Sequence, residues 1–219
     1  MKRRKINVYL NITDSRQKET ERKPDTGVYA TILPDEKRML ITVLPSEEEY
    51  PDIETKLAAV TGFTGYAPDF YYRTDFDAMR DIIDAIRGID VMTEKNFKIG
   101  ENYYPKGMNK MTGKPAMALF RKKCATEEEQ LQIRESIVEG FLRKALKGPS
   151  LLYDYGKLYN VVKNCSETNV TSAVVKKLAG KNVKSAKEWQ IIKQYVMNTD
   201  TEEVKEKARE KIEIFNLDL

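Results

Sequence analysis

Residues 70–92 read FYYRTDFDAMRDIIDAIRGIDVM, and this stretch decides the predicted fold class. Asp75 is a typical helix N-cap, because its side chain can accept hydrogen bonds from the first free backbone amides. Apolar residues then recur at helical spacing, at Phe76, Met79, Ile82, Ile83 and Ile86. Gly88 is typical of a helix end. With extended segments at 70–73 and 89–92, the stretch is a strand, a helix and a second strand.

Sequence patterns also predict strands and helices on both sides of this strand–helix–strand stretch. Three more strands are predicted at 6–13, 27–33 and 39–44, and the short turn between the last two predicts that they pair antiparallel. Downstream, a helix runs from a capping box at Thr126 to about 147, whereas 94–113 reads as irregular. Strands alternating with helices predict an α/β fold, a three-layer α-β-α sandwich with a central mixed β-sheet, in one domain over 1–219.

Composition excludes several kinds of chemistry. The 219 residues include no histidine, which excludes Ser-His-Asp and Cys-His catalysis and most zinc sites. A metal in such a chain would be a hard cation held by carboxylates, with Mg²⁺ as the default. The 38 cationic and 34 acidic side chains give a net charge of +4, too small to indicate nucleic acid. The longest apolar runs, 40–44 and 116–120, are far shorter than the roughly 20 residues that span a bilayer.

Arg134 has an unusual place on the helix that follows Thr126. At about 100° per residue from Leu131, the apolar residues of this helix fall on an arc between about 280° and 20°, and Arg134 falls at about 300°. Glu135 lies at the edge of the arc. A guanidinium on an apolar face costs free energy unless it pairs with a carboxylate or faces a polar cavity. Two interpretations are therefore open, a structural or snorkelling arginine and an anion-binding one.

Other charged residues form smaller groups. If 120–123 is extended, Arg121 and Lys123 point to the same side as a cationic pair, although a solvated basic turn has the same composition. Asp14 and Asp25 bracket a polar loop between two strands and could bind Mg²⁺ together, or they could simply favour turns. Arg16 adds a positive charge to that loop.

The order of these motifs resembles the LytR-CpsA-Psr family, also called cell envelope-related transcriptional attenuator domains. The resemblance covers roughly 6–180. It rests on ITDSR at 12–16, the Asp25-Thr26 pair, the strand–helix–strand passage from 71 to 91, the segment from Gly107 to Lys123, the helix with Leu131, Arg134 and Glu135, and TNVT at 168–171.

The resemblance implies a magnesium-dependent phosphotransferase that moves a glycopolymer from a polyprenyl-pyrophosphate carrier to peptidoglycan during cell-wall assembly. It implies an extracytoplasmic address, with membrane association through the lipid substrate and an N-terminal anchor absent from this chain, and no nucleic-acid partner. The implied catalytic residues are Asp14, Asp25, Arg121 and Arg134. Pyrophosphate binding is implied for Arg16, Arg121, Lys123, Arg134 and Glu135, and Mg²⁺ binding for Asp14 and Asp25.

The chain departs from the family pattern at several arginine positions. Ser46 and Leu131 stand where arginines are expected, and Lys123 replaces a third. Because one lost transition-state donor typically costs about 10²–10³ in rate, an alternative is a catalytically impaired relative that binds polyprenyl phosphate or an anionic cell-wall polymer.

The two cysteines, Cys124 and Cys165, lie in turns that a helical hairpin could bring together. A disulfide and two free thiols are both compatible with the sequence. An extracytoplasmic address would permit the disulfide.

Overall fold

The computed structural model describes residues 5–13, 26–44, 50, 52–146, 166–171, 189–197 and 200–217. Two compact units make up the chain. Unit 1 consists of Met1–Thr74, Glu167–Thr171 and Glu188–Leu219, and unit 2 of Asp75–Ser166 and Ser172–Lys187. A single domain over 1–219 stays a prediction.

Unit 1 is built on a six-stranded mixed sheet. Its strands are β1 (Ile6–Thr13), β2 (Thr26–Leu33), β3 (Arg38–Val43), β4 (Phe70–Asp75), β9 (Ser166–Thr168) and β10 (Gln190–Tyr195). Their order across the sheet is β10-β3-β2-β1-β4-β9. As predicted, β2 and β3 pair antiparallel across a short turn, while β10 pairs parallel to β3. The α/β class with a mixed sheet is confirmed.

Two helices contribute to the core of unit 1, α1 (Ile53–Thr64) and α5 (Glu202–Asn216). Side chains from both helices and from the sheet form one buried cluster, which consists of Tyr9, Tyr29, Leu33, Leu40, Leu44, Val60, Ile212 and Phe215. All eight residues of β2 are buried, as expected of a central strand in a sheet that is covered on both faces.

Asn216, at the end of α5, joins the two ends of the chain. It is 2% exposed, and its Oδ1 accepts a hydrogen bond from Asn7 Nδ2 at 2.8 Å. Its backbone carbonyl accepts another from Lys5 Nζ at 2.6 Å. Its Nδ2 donates to the Ile212 carbonyl at 2.9 Å. The last helix is thus fastened to the first strand.

Unit 2 contains three described helices, α2 (Phe76–Ala85), α3 (Gly113–Phe120) and α4 (Glu127–Leu146). Asp75 caps α2 as predicted, accepting from the Ala78 amide at 2.8 Å, and the five apolar residues of the predicted stripe are all buried. Thr126 caps α4 and accepts from the Glu129 amide at 3.1 Å. Within the described part of the chain, no helix is long and apolar enough to cross a membrane.

The prediction of irregular structure over 94–113 is wrong. Four strands occupy the region from 89 to 111, namely β5 (Ile89–Thr93), β6 (Phe97–Ile99), β7 (Asn102–Tyr104) and β8 (Gly107–Met111). β5 pairs antiparallel with β8, and β6 pairs antiparallel with β7. Because the β6–β7 pair lies between β5 and β8 in the chain, the four strands form one long hairpin, called here the hairpin arm.

Side chains stabilise the hairpin arm where its two strand pairs meet. The Asn109 amide donates to Thr93 Oγ1 at 2.8 Å and to the Pro105 carbonyl at 2.7 Å. On the other side, the Lys106 amide donates to Asn96 Oδ1 at 2.7 Å. These bonds satisfy backbone groups that the ladder leaves open, so the arm is one ordered element rather than a loop.

Candidate functional site

Arg121 lies at the end of a helix and not in an extended segment. It is the C-cap of α3, with φ −89° and ψ −6°, and its amide donates to the Met117 carbonyl at 3.2 Å. The expected alternation of Arg121 and Lys123 in an extended segment is therefore wrong. The apolar run before Arg121 is helical because Ala116, Leu119 and Phe120 all bury one face.

Two arginines of unit 2 lie on two phenylalanine rings that touch each other. The Arg121 guanidinium is 5.4 Å from the Phe76 ring centroid, and the Arg134 guanidinium is 5.4 Å from that of Phe120. The two rings meet edge to face with centroids 5.6 Å apart. These four residues, here the arginine–phenylalanine cluster, come from α2, α3, the α3 C-cap and α4. Each guanidinium is held by a cation–π contact with one of the two rings.

Arg134 is the partly buried member of this cluster. Its Nε is buried and has no hydrogen-bond partner among the described residues. Desolvation by burial lowers the pKa of the Arg134 guanidinium, and nearby Cys124 and Glu127 oppose part of that shift. An arginine remains protonated in proteins, so this site holds a desolvated cation that an anionic ligand would stabilise.

The neighbours of Arg134 differ in exposure. Glu135 is 5% exposed and Leu131 is 4% exposed, so both lie on the buried side of α4. Lys123 is exposed. The structure thus brings Arg121 and Arg134 together through two rings. It places Glu135 next to Arg134 in α4 and leaves Lys123 in solvent.

Phe76 and Phe120 are functional candidates that the sequence reasoning missed. Phe76 follows the N-cap of α2 directly, and Phe120 directly precedes Arg121. An aromatic residue beside an arginine could have suggested a cation–π contact. The contact between residues 44 positions apart, however, is made only by tertiary packing.

Asp14, Asp25 and Arg16 lie outside the described residues, and so does Ser46. The strand ends that lead to the two aspartates are described. β1 ends at Thr13, β2 begins at Thr26, and Ile12 pairs with Thr26 across the sheet. The end of β1 and the beginning of β2 are therefore neighbours, on the same side of the sheet along the strand direction. Within the described ranges, no group of three or more carboxylate, cysteine or histidine side chains could hold a metal ion.

The TNVT motif has a structural role in unit 1. Asn169 Oδ1 accepts from the Tyr71 amide at 2.9 Å, and Asn169 Nδ2 donates to the Asp69 carbonyl at 3.0 Å. Thr168 Oγ1 donates to the Tyr71 carbonyl at 2.6 Å. These three bonds fasten the motif to the beginning of β4.

Cys124 carries a free thiol, so the disulfide with Cys165 is not formed in this structure. Cys165 lies outside the described residues. The Cys124 side chain is partly buried, which raises the pKa of its thiol, and the charge of Glu129 adds to the rise.

A model of the LytR_cpsA_psr family matches residues 52–216. This chain belongs to the LytR-CpsA-Psr family. The matched span includes every motif from residue 70 onward on which the resemblance rests, whereas ITDSR at 12–16 and Asp25-Thr26 precede it. The arginine–phenylalanine cluster lies wholly inside the matched span.

Named relatives support the same membership. TagU of Bacillus anthracis, named a polyisoprenyl-teichoic acid–peptidoglycan teichoic acid transferase, is 25% identical over 122 residues, which cover 54% of this chain and 40% of TagU. This LytR-CpsA-Psr chain therefore spans about two fifths of the length of the curated relatives it matches.

Solved structures confirm the fold. TagV of B. subtilis superposes with a TM-score of 0.72 at 17% identity, covering 98% of both chains. A structure of TagT bound to LI-WTA gives a TM-score of 0.70 at 12% identity, covering 96% of this chain and 90% of TagT. At these identities the likeness concerns the α/β fold of the family.

Proposed function

We propose that this chain is a phosphotransferase of the LytR-CpsA-Psr type, which transfers a glycopolymer from a polyprenyl-pyrophosphate carrier to peptidoglycan in cell-wall assembly. The observation that carries the proposal is the partly buried Arg134 guanidinium with its unpartnered Nε. A desolvated cation in this position matches the charge and the hydrogen-bond acceptors of a pyrophosphate. The name of the TagU relative supports the kind of reaction.

Each cationic residue has a distinct role in this proposal. Arg134 binds the pyrophosphate from the partly buried side, and Arg121 binds it from the exposed end of α3. Both stabilise the negative charge that develops on the leaving polyprenyl phosphate as the phosphate-linked glycopolymer passes to the acceptor hydroxyl. Lys123 adds charge near the exposed end of α3. Pyrophosphate binding by Arg16 and Glu135 is proposed on the family resemblance alone.

Asp14 and Asp25 are proposed to hold Mg²⁺. The neighbouring strand ends support this, because Asp14 follows Thr13 and Asp25 precedes Thr26 in the chain, and Ile12 pairs with Thr26. Carboxylate oxygens are the protein ligands that Mg²⁺ prefers. When bound, the metal would neutralise charge on phosphate oxygens.

The proposed substrates place the protein at the outer face of the cell membrane. The polyprenyl carrier is a membrane lipid and peptidoglycan lies outside the membrane, so an extracytoplasmic address follows from the proposed reaction. The family resemblance also implies a membrane anchor, which we propose on that ground alone.

A transfer assay with Arg134→Ala tests the proposal. Lipid-linked glycan would be supplied with peptidoglycan, with and without Mg²⁺. We expect Arg134→Ala to lower the rate about 10²–10³-fold and to weaken binding of the lipid pyrophosphate by about 1.5–3 kcal/mol. Arg143→Ala is the matched control, because Arg143 lies on the same helix and pairs with Glu139 at 2.8 Å. Equal activity of Arg134→Ala and the unmodified chain would contradict the proposal.

The second candidate is a relative that binds polyprenyl phosphate or an anionic wall polymer without turning it over. The burial of Leu131 favours it, because an apolar core residue occupies a position where the family pattern has an arginine. Native mass spectrometry of the purified chain separates the two candidates when combined with the assay. Retained lipid without transfer identifies a binding protein, and transfer identifies an enzyme.

A further inference from the structure

The positive charge of this protein is concentrated in one segment of unit 2. Residues 95–123 contain eight cationic side chains and one acidic one, a net charge of +7. The other 190 residues contain 30 cationic and 33 acidic side chains, a net charge of −3. The cationic side chains are all exposed, and they are Lys95, Lys98, Lys106, Lys110, Lys114, Arg121, Lys122 and Lys123.

Exposed apolar side chains lie among these cations on the hairpin arm. Met92, Tyr103 and Met108 are 43%, 63% and 62% exposed. They account for half of the six large hydrophobic residues that are exposed in the described part of the chain. Side chains of this size rarely stay in water without a function when they occur together.

Strand pairing places apolar and cationic side chains on the same faces of the arm. Met92 lies directly opposite Met108 on the β5–β8 pair, and Asp90 lies opposite Lys110. Because exposed and buried residues alternate along β5, the two methionines share a face with Lys110. On the β6–β7 pair Tyr103 lies opposite Lys98. Each half of the arm thus presents an apolar side chain next to a lysine.

The end of α3 continues this surface. Lys122 Nζ lies 5.7 Å from the Phe97 ring centroid, and Phe97 stacks on Tyr104 with centroids 5.3 Å apart. Acidic groups neutralise part of the positive charge of this region. Glu94 reaches Lys106 at 4.0 Å and Glu129 reaches Lys95 at 3.2 Å. Asp90 lies opposite Lys110 on the strand ladder, and Glu101 is in the turn.

Some cations of this region form no ion pair with a described residue. Among the residues that the structure describes, Lys98, Lys110 and Lys114 form no ion pair. A surface on which lysines alternate with exposed methionine and tyrosine fits a partner with two properties. The partner carries negative charge, and it offers an apolar environment into which side chains can insert.

We propose that the hairpin arm, with Lys122 beside it, docks onto the surface of an anionic lipid bilayer. The lysines bind lipid phosphates, while Met92, Met108 and Tyr103 insert between the headgroups. Tyrosine is favoured at this depth because one end of its side chain is apolar and the other is polar. A soluble polyanion would satisfy the cations but would give no reason for the exposed apolar side chains. This docking is independent of the transferase activity proposed above.

Vesicle sedimentation with the complete chain tests the docking surface. Vesicles of phosphatidylcholine alone would be compared with vesicles that also contain phosphatidylglycerol, without polyprenyl lipid in either. We expect binding only to the anionic vesicles and its loss at about 1 M salt, where the screening length falls to about 3 Å.

Two double variants identify the residues. Lys98→Glu/Lys110→Glu should lower the partition coefficient more than about tenfold, because each cation near an anionic leaflet contributes about fivefold. Tyr103→Ser/Met108→Ser should lower it by a similar factor through lost insertion. All four positions are exposed, so thermal unfolding should change little, with a small loss from Lys110→Glu because it faces Asp90. The matched controls on α5, Lys207→Glu/Lys211→Glu and Ile214→Ser, should bind as the unmodified chain does.

Several outcomes would overturn the proposal. Absence of binding to anionic vesicles, or binding that survives either arm variant, would exclude docking through this surface. Binding to long-chain polyphosphate without binding to vesicles would assign the cations to a soluble polyanion instead. Because no glycan transfer is measured, a failure here leaves the proposed enzymatic function untouched, and a failed transfer assay leaves the docking untouched.

Discussion

Arg134 brings two opposing contributions to the free energy of folding. Its guanidinium gains a cation–π contact with Phe120, worth about 0.5–2 kcal/mol. Its buried Nε, which lacks a partner within the described residues, costs about 1–3 kcal/mol. The two contributions are of similar size, so Arg134 adds little net stability to the ligand-free chain.

We therefore predict that Arg134→Met leaves the free energy of unfolding unchanged or raises it by up to about 2 kcal/mol. Methionine keeps most of the volume and contacts the ring through sulfur. Denaturant unfolding of the ligand-free chain provides the measurement. Arg143→Met, which breaks a helical ion pair with Glu139, should cost about 0.3–0.5 kcal/mol. A loss of more than about 1 kcal/mol in Arg134→Met would show that the charge stabilises the free chain.

Cys124 should react slowly with alkylating reagents. Burial raises the pKa of its thiol, so less of the reactive thiolate is present at pH 7–8 than in a free cysteine. In a Cys165→Ser chain, iodoacetamide labelling followed by mass spectrometry should be slower than in the same chain unfolded in guanidinium chloride. The rate should rise as pH rises toward the shifted pKa. Equal rates in the folded and unfolded chains would contradict the shift.

Helix α4 is placed against β5 by a glycine. A Cβ on Gly140 would lie 2.4 Å from the Asp90 carbonyl oxygen, a backbone atom that cannot move without the strand. Gly62, on α1, has nothing within 4 Å of the corresponding position. Substitution of Gly62 therefore measures helix propensity alone, whereas substitution of Gly140 also measures the packing of α4 against β5.

We predict opposite effects for alanine at these two positions. Gly62→Ala should stabilise the protein by about 0.5–1 kcal/mol, because alanine loses less backbone entropy in a helix. Gly140→Ala should destabilise it by about 1–3 kcal/mol, because the overlap forces α4 away from β5. Thermal unfolding of both variants is the measurement. Stabilisation by both substitutions would mean that α4 and β5 are not in close contact.

The elements that the sequence predicts well are those with strong local patterns. Helix α2 has a cap and an apolar stripe within its own residues, and both are observed. The hairpin arm was missed because Pro105 and Gly107 read as loop signals, while its geometry is fixed by Asn96 and Asn109, which bond across the arm. Helix α3 has only eight residues, and an apolar run that short does not distinguish a helix from a strand.

In the candidate site, too, local sequence patterns predict some features, and tertiary packing alone creates the others. The helical periodicity of α4 predicts that Arg134 faces the apolar side, and its partial burial agrees. The rings beneath the two arginines could not be predicted, because Phe76 and Phe120 meet only when α2 and α3 pack together. The roles of Asp14, Asp25 and Arg16 stay predictions.

On the scale of the whole molecule, the two chain ends are stabilised together in unit 1. We predict that Asn216→Ala lowers the free energy of unfolding by about 1–3 kcal/mol, because it leaves the buried Asn7 amide without its acceptor. Chemical denaturation is the measurement. Lys211→Ala on the exposed side of the same helix is the control and should change stability by less than about 0.5 kcal/mol. A comparable loss in both variants would argue against the Asn7–Asn216 bond as the cause.

Because β3 pairs with β10, this part of the sheet cannot form until nearly the whole chain has been synthesised. Gln190 lies opposite Arg38, 152 positions earlier in the chain. At about 5–20 residues per second, β3 leaves the ribosome roughly 8–30 s before its partner strand exists. During that interval a strand whose Met39, Leu40 and Ile41 are fully buried in the finished protein has an open edge. Nascent chains that terminate before residue 190 keep that edge permanently, which makes them templates for strand-to-strand aggregation.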